Sequence, residues 1–163
     1  MDWITISFYA VGAVAAAVYG TEDLARYYAM RRLARKLGFS YLRRTLPGAL
    51  SLYGTPFAQM WSTWNVLDKQ EKGRNHIVVF DCQVGEKQSS WRSTVIAART
   101  GSTTLPQELF GESMRVQNSG GWSIAYYPQE AKRGLMPLKE LRGHLTRSED
   151  AWRAPPDPGA IRG

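Results

Sequence analysis

HIVVFDCQV, residues His76–Val84, sets His76, Val78, Phe80, Cys82 and Val84 against Ile77, Val79, Asp81 and Gln83. Side chains of a strand point alternately to its two faces, so the stretch reads as a β-strand, and the face carrying Val78, Phe80 and Cys82 is expected to look inward. Charged gaps with glycine flank it, Asp68–Asn75 with Gly73 and Gly85–Ser90 with Gly85. Both suit hairpin loops. Outside these gaps lie two similar runs. In Phe57–Leu67, Met60, Trp64 and Val66 alternate with Trp61, Thr63 and Asn65, and Trp91–Arg99 reads WRSTVIAAR. Together the three predict an antiparallel meander.

Toward the C-terminus, the segment 101–112 reads as a loop or edge piece, because Pro106 cannot donate to a ladder. Ser113–Asn118 and Gly121–Tyr127 flank Ser119-Gly120 and form a hairpin, for about five strands in all. In MPLKELRGHLTRSE, Met136–Glu149, the leucines Leu138, Leu141 and Leu145 fall at helical spacing, and Pro137 is tolerated in a first turn. The spacing predicts a closing helix that packs on the sheet. Residues 151–163 carry Pro155, Pro156, Pro158 and two glycines; a disordered tail is expected.

Toward the N-terminus, the segment 40–56 holds Pro47-Gly48 and Gly54-Thr55-Pro56 and is expected to be a connecting loop. Before it, Leu24, Tyr27, Met30, Leu33, Ala34 and Leu37 recur on one side of a helical projection, with the arginines largely on the other. This predicts an amphipathic helix over 22–38, stopped by Gly38. It could lie on a lipid surface or pack on the sheet as the domain's first helix, and the two are compatible.

The first residues, WITISFYAVGAVAAAVYGT from Trp3 to Thr21, contain no charge. As a helix they would extend roughly 28 Å, close to the roughly 30 Å hydrocarbon thickness of a bilayer. Trp3 and Tyr19 sit near the two ends, where amphipathic rings favour the interface. Two other readings compete. A secretory signal needs basic residues ahead of the apolar run, and only Asp2 stands there. A buried core helix would be interrupted by polar residues along one face. A transmembrane helix over 1–21 is therefore expected, followed by the basic helix 22–38, an α+β domain over 39–150 and the tail 151–163.

The chain carries 21 bases and 14 acids, a formal charge of +7. That excess is local: between Leu24 and Arg44 lie Arg26, Arg31, Arg32, Arg35, Lys36, Arg43 and Arg44 with no acid, while 45–163 hold 14 bases and 11 acids. A basic protein invites a nucleic-acid reading, but cations beside a membrane segment gain about 1 kcal/mol each near anionic lipid. The seven are expected at lipid headgroups, and a nucleic-acid partner is not expected. Basic residues stay on the cytoplasmic side, which predicts an outside N-terminus and a cytoplasmic domain at the cell inner membrane. A single cysteine excludes an intrachain disulfide and suits a reducing compartment. Within the membrane segment, Gly12, Ala16 and Gly20 recur at i, i+4, i+8, a line of small residues that lets a second helix approach. A membrane protein partner or a second copy is expected there.

Chemistry is sparse. Two histidines and one cysteine exclude a Cys-rich zinc site. His76 and Cys82, six residues apart on one strand, stand roughly 20 Å from each other and cannot form a pair. Cys82 is expected in the core and His144 at the surface. The six tryptophans suit core packing better than a stacking platform. Neither G-x-G-x-x-G nor G-x-x-x-x-G-K-[ST] occurs, and no cofactor or catalytic residue is assigned.

RRLARKLGF (31–39), YGTPF (53–57), NVL (65–67), VVFDC (78–82) and STVIAART (93–100), behind a membrane helix, resemble bacterial single-pass membrane proteins known only as domains of unknown function. The likeness covers most of residues 1–140. It implies a bacterial setting and no particular activity. The sequence thus points to a membrane-tethered α+β interaction domain, an accessory subunit of a larger membrane complex. The alternative is an enzyme or small-ligand-binding domain whose site is built from loops.

Overall fold

The computed structural model describes residues 21–71, 75–85, 89–99, 107–131 and 134–153. Helix α1 covers 21–37. There follow β1 (Ser40–Arg43), β2 (Met60–Gln70), β3 (His76–Val84), β4 (Trp91–Arg99), β5 (Arg115–Ser119), β6 (Trp122–Tyr126) and helix α2 (Leu138–Arg153). The strands form one antiparallel sheet in the order β1-β2-β3-β4-β6-β5. No helix among the described residues is long and apolar enough to cross a membrane. The expected membrane segment lies outside them, apart from Thr21, and so do Gly12, Ala16 and Gly20.

The architecture is α+β, as the patterns require, and β3 and β4 have the expected bounds. Four differences have physical causes. First, the sheet has six strands, because SYLR at 40–43 pairs with Val66–Asp68 of β2. Four residues with a terminal arginine carry too little alternation to announce a strand. Second, the meander breaks after β4. WSIAY of β6 is buried throughout and takes the inner place beside β4, leaving the polar RVQNS of β5 at the edge. Polar residues on an outer strand discourage pairing with another chain. Third, β2 starts at Met60 because Pro56–Gln59 form a 3-10 turn, capped by Thr55. Fourth, residues 151–153, expected in the tail, close α2.

Both faces of the sheet are covered. Ile77, Val79, Ile96 and Ala98 face Met30, Leu33 and Ala34 of α1 and Leu141 and Leu145 of α2. The basic helix thus packs on the sheet as the domain's first helix. Val78, Phe80, Cys82 and Val95 face the other way, together with Trp122 and Phe57. The face expected to look inward is therefore one of two that do.

No α-helix lies over the second face among the described residues; the chain from 44 to 59, with its 3-10 turn at Pro56–Gln59, crosses it instead. Leu46, Leu50 and Leu52 pack on it, and Trp122 Nε1 donates to the Ala49 carbonyl at 3.0 Å. Gln117 Nε2 and Ser119 Oγ donate to the Gly54 and Tyr53 carbonyls at the far edge. Gly120 (φ 54°) leaves only 2.6 Å between Ser51 Cβ and the place a Cβ of its own would take. A larger residue in that hairpin turn would push the covering chain away.

One polar network ties α1 to the sheet and to the start of α2. Asp81, fully buried, accepts from Arg26 Nε at 2.7 Å, Arg26 Nη2 at 2.8 Å, Asn65 Nδ2 at 2.9 Å and Thr94 Oγ1 at 2.7 Å. Arg26 Nη1 donates to the Met136 carbonyl at 2.9 Å, and the Met136 amide donates to Thr94 Oγ1 at 2.9 Å. Arg26, expected at lipid headgroups, is 13% exposed and turned into the protein. A helical projection places it among the other arginines and shows no sign of the carboxylate beneath.

His144, expected at the surface, is 4% exposed. Its ring packs against Phe110, Nδ1 accepts from Arg147 Nη2 at 2.8 Å, and Nε2 lies 3.7 Å from Glu140 Oε1 with no hydrogen-bond partner. Burial lowers its pKa and Arg147 lowers it further, while the Leu109 backbone and then Glu140 oppose both. The sequence shows only a histidine two residues from Arg142; the turn Gln107–Leu109 and Phe110 that cover it come from a distant segment.

Removing Arg26 strands a carboxylate in the interior. Arg26→Met is expected to cost on the order of 3–5 kcal/mol in chemical denaturation, with part recovered in Arg26→Met/Asp81→Leu. Equal stability of wild type and single variant would show that the ion pair is not holding α1. For His144 the folded pKa is the lower one, so its contribution is intact above the ordinary value of about 6.5 and is lost as pH falls below it. Between roughly pH 7 and 5 the wild type is expected to lose more stability than His144→Gln; parallel curves would refute this.

Candidate functional site

The short β1 shapes an open surface feature. It pairs with Val66–Asp68 of the 11-residue β2, so Met60–Thr63 have β3 on one side and no strand on the other. The chain beyond β1 splays away, held where Thr63 Oγ1 donates to the Arg44 carbonyl at 3.0 Å. An open groove of about 1200 Å³ results, bounded by Asp23, Leu24 and Tyr27 of α1, the end of β1 and the first half of β2.

Its floor is strained. Arg43 (φ 59°) and Asn65 (φ 53°) are the two non-glycine residues with positive φ among those described, and the β2 register slips between Trp64 and Leu67. Left-handed backbone costs a side-chain-bearing residue about 1–2 kcal/mol, least for Asn. Bonds on both ends of its amide hold Asn65: Tyr41 Oη donates to Oδ1 at 2.7 Å, and Nδ2 donates to Asp81 at 2.9 Å. The floor of the groove is thereby joined to the Arg26–Asp81 network.

Aromatic rings and guanidiniums line the walls. Tyr27 meets Tyr41 edge-on at 5.7 Å, and Arg92 lies over the Trp64 ring at 4.9 Å. Arg92 also pairs with Asp23 of α1. Trp61 stands 71% exposed. Arg43 and Arg44 are exposed and make no ion pair among the described residues. Burial, followed by the neighbouring Tyr27 and the Asp81 charge, pushes the Tyr41 phenol up to about 12. It remains a neutral donor to Asn65.

This arrangement can hold an anion beside an apolar or aromatic body. The acid in the groove, Asp23, is engaged by Arg92. Cys82 is buried on the far face, and desolvation, with the Asp81 charge behind it, pushes its thiol up; it serves as a core residue. His76 bonds Asp68 and packs against Trp122, away from Cys82. Among the described residues no group of three His, Cys, Asp or Glu side chains could hold a metal.

Of the seven cations singled out in the sequence, Arg43 and Arg44 come to the groove, Arg26 is internal, and Arg31, Arg32, Arg35 and Lys36 are exposed on α1. Sequence reasoning missed Tyr27, Tyr41, Trp61, Trp64, Asn65 and Arg92 as a set. The excess of tryptophan was the available signal, and core packing is right for Trp122, fully buried, and wrong for Trp61.

Substitution at position 65 separates backbone strain from bonding. Asn65→Ala loses both bonds and keeps the strained φ, whereas Asn65→Gly loses the bonds alone. Alanine is expected to be the less stable of the two by about 1 kcal/mol in denaturant unfolding. Equal stabilities would show that φ at this position costs nothing. Comparison with family models, curated proteins and solved structures returns no match to this chain, so its chemistry is read from the groove and the network beneath it.

Proposed function

We propose that the chain is a membrane-tethered, non-enzymatic interaction domain, held by residues 3–21 and working through the groove, as an accessory subunit of a larger membrane assembly. The supporting observation is where the groove lies. Asp23, Leu24 and Tyr27 of α1 bound it, and the charge-free segment ends at Thr21, the first described residue of α1. Six residues of helix separate Thr21 from Tyr27, a rise of about 9 Å. A chain leaving a bilayer at Thr21 therefore opens its groove close to the headgroups. The basic residues that follow set the domain on the cytoplasmic side of the inner membrane. The small-residue line Gly12, Ala16 and Gly20 is then the route by which a partner helix is met.

The tether is tested by fractionation. Full-length protein is expected in the carbonate-resistant membrane pellet, with a C-terminal reporter active in the cytoplasm, and a chain lacking residues 3–20 in the supernatant. Recovery of the full-length chain in the supernatant, or a reporter active only outside, would overturn the reading.

A further inference from the structure

Resting on that tether, we infer that the groove binds one anionic phospholipid, with Arg43 and Arg44 on its phosphate and Trp61 and Leu24 against its glycerol and first acyl carbons. The fold places these groups together. Arg43 and Arg44 follow Thr21 by more than twenty positions, yet the chain reverses at Gly38 and Phe39, where the Phe39 amide bonds the Ala34 carbonyl, and β1 returns alongside Tyr27. Two guanidiniums without an ion pair among the described residues thus stand at the membrane end of α1.

Distance separates them from the other exposed cations. Arg31 and Lys36 lie up to about 15 and 22 Å along α1 from Thr21. Tyr27 lies within about 9 Å of Thr21 at any tilt of the helix. Four large hydrophobic side chains are strongly exposed among the described residues, Leu24, Tyr28, Tyr53 and Trp61, and two of them line this groove. Such side chains favour the headgroup boundary when cations accompany them.

The edge of β2 also bears on the kind of ligand. A peptide that adds as a strand needs a regular ladder, whereas β2 slips register between Met60 and Ser62 and again between Trp64 and Leu67. The Arg44 carbonyl is drawn toward that edge by Thr63. A headgroup requires no ladder. Bidentate guanidinium contacts to its phosphate, with the hydroxyl of Ser62 nearby, suffice.

The test uses full-length protein in mild detergent, with lipid retention read by native mass spectrometry. Phosphatidylglycerol is expected to be retained in preference to phosphatidylcholine. Arg43→Gln/Arg44→Gln should lower retention about tenfold, while Arg31→Gln/Arg32→Gln, which removes equal charge outside the groove, should lower it less than about twofold. Thermal melting of each variant reports folding. Should the groove pair fail to fold, Trp61→Ser decides: it is expected to lower retention with both arginines in place, and full retention would overturn the inference. Equal loss in the two arginine pairs, equal retention of the two lipids, or displacement of phosphatidylglycerol by inorganic phosphate or an acidic peptide would also overturn it. Each of these leaves the carbonate-resistant pellet unchanged, whereas failure of the tether shows in the pellet itself.

Discussion

Asp81 has no exposed surface, and four hydrogen bonds converge on its carboxylate from Arg26, Asn65 and Thr94. A charge cannot be taken out of water without several kcal/mol of desolvation, so it is tolerated there only with a partner of opposite sign and its remaining lone pairs bonded. Each donor comes from a different element: α1, β2 and β4. The Met136 backbone, bonded to both Arg26 and Thr94, brings in the approach to α2. The position of α1 over the sheet is thereby fixed in register, a constraint that the apolar contacts of Met30, Leu33 and Ala34 do not impose, because burial is not directional.

The rest of the molecule follows from covering both faces of a sheet with little helix. Ile77 and Val78, adjacent on β3, are both fully buried and point opposite ways. Two helices serve the first face. Over the second, an extended chain must cross from the β1 edge to the β5 edge, and its own carbonyls need donors. Trp122, Gln117 and Ser119 supply them. That crossing forces the chain to leave β2 after three paired residues of β1, which opens the groove. The groove is thus a consequence of how the second core is closed, and its strained floor at Arg43 and Asn65 marks the point where the chain turns away.

Five of the six strand positions, both helices and the antiparallel sheet were legible in the sequence, because they rest on local signals: a period of two for β3 and β4, a turn pair for the β5–β6 hairpin, and a period near 3.6 for α1 and α2. The position of Cys82 in the core and its separation from His76 follow from the same alternation. What the residues could not disclose locally is pairing. SYLR becomes a strand only through β2, and the β5–β6 hairpin takes its order from the burial of WSIAY beside β4. His144 is buried only because a distant segment reaches it.

The candidate site shows the same division. Composition and charge alone determined that residues 3–21 form an uncharged run and that a basic collar follows, since these are properties of consecutive residues. Tertiary structure decided which collar residues remain available. Arg26 is consumed by a carboxylate 55 positions away, while Arg43 and Arg44 are returned to Asp23 and Leu24 of α1, beside Trp61 and Trp64. The physical reason is that a charge's role depends on what lies within a few ångströms of it, and those neighbours come from strands far apart in the chain.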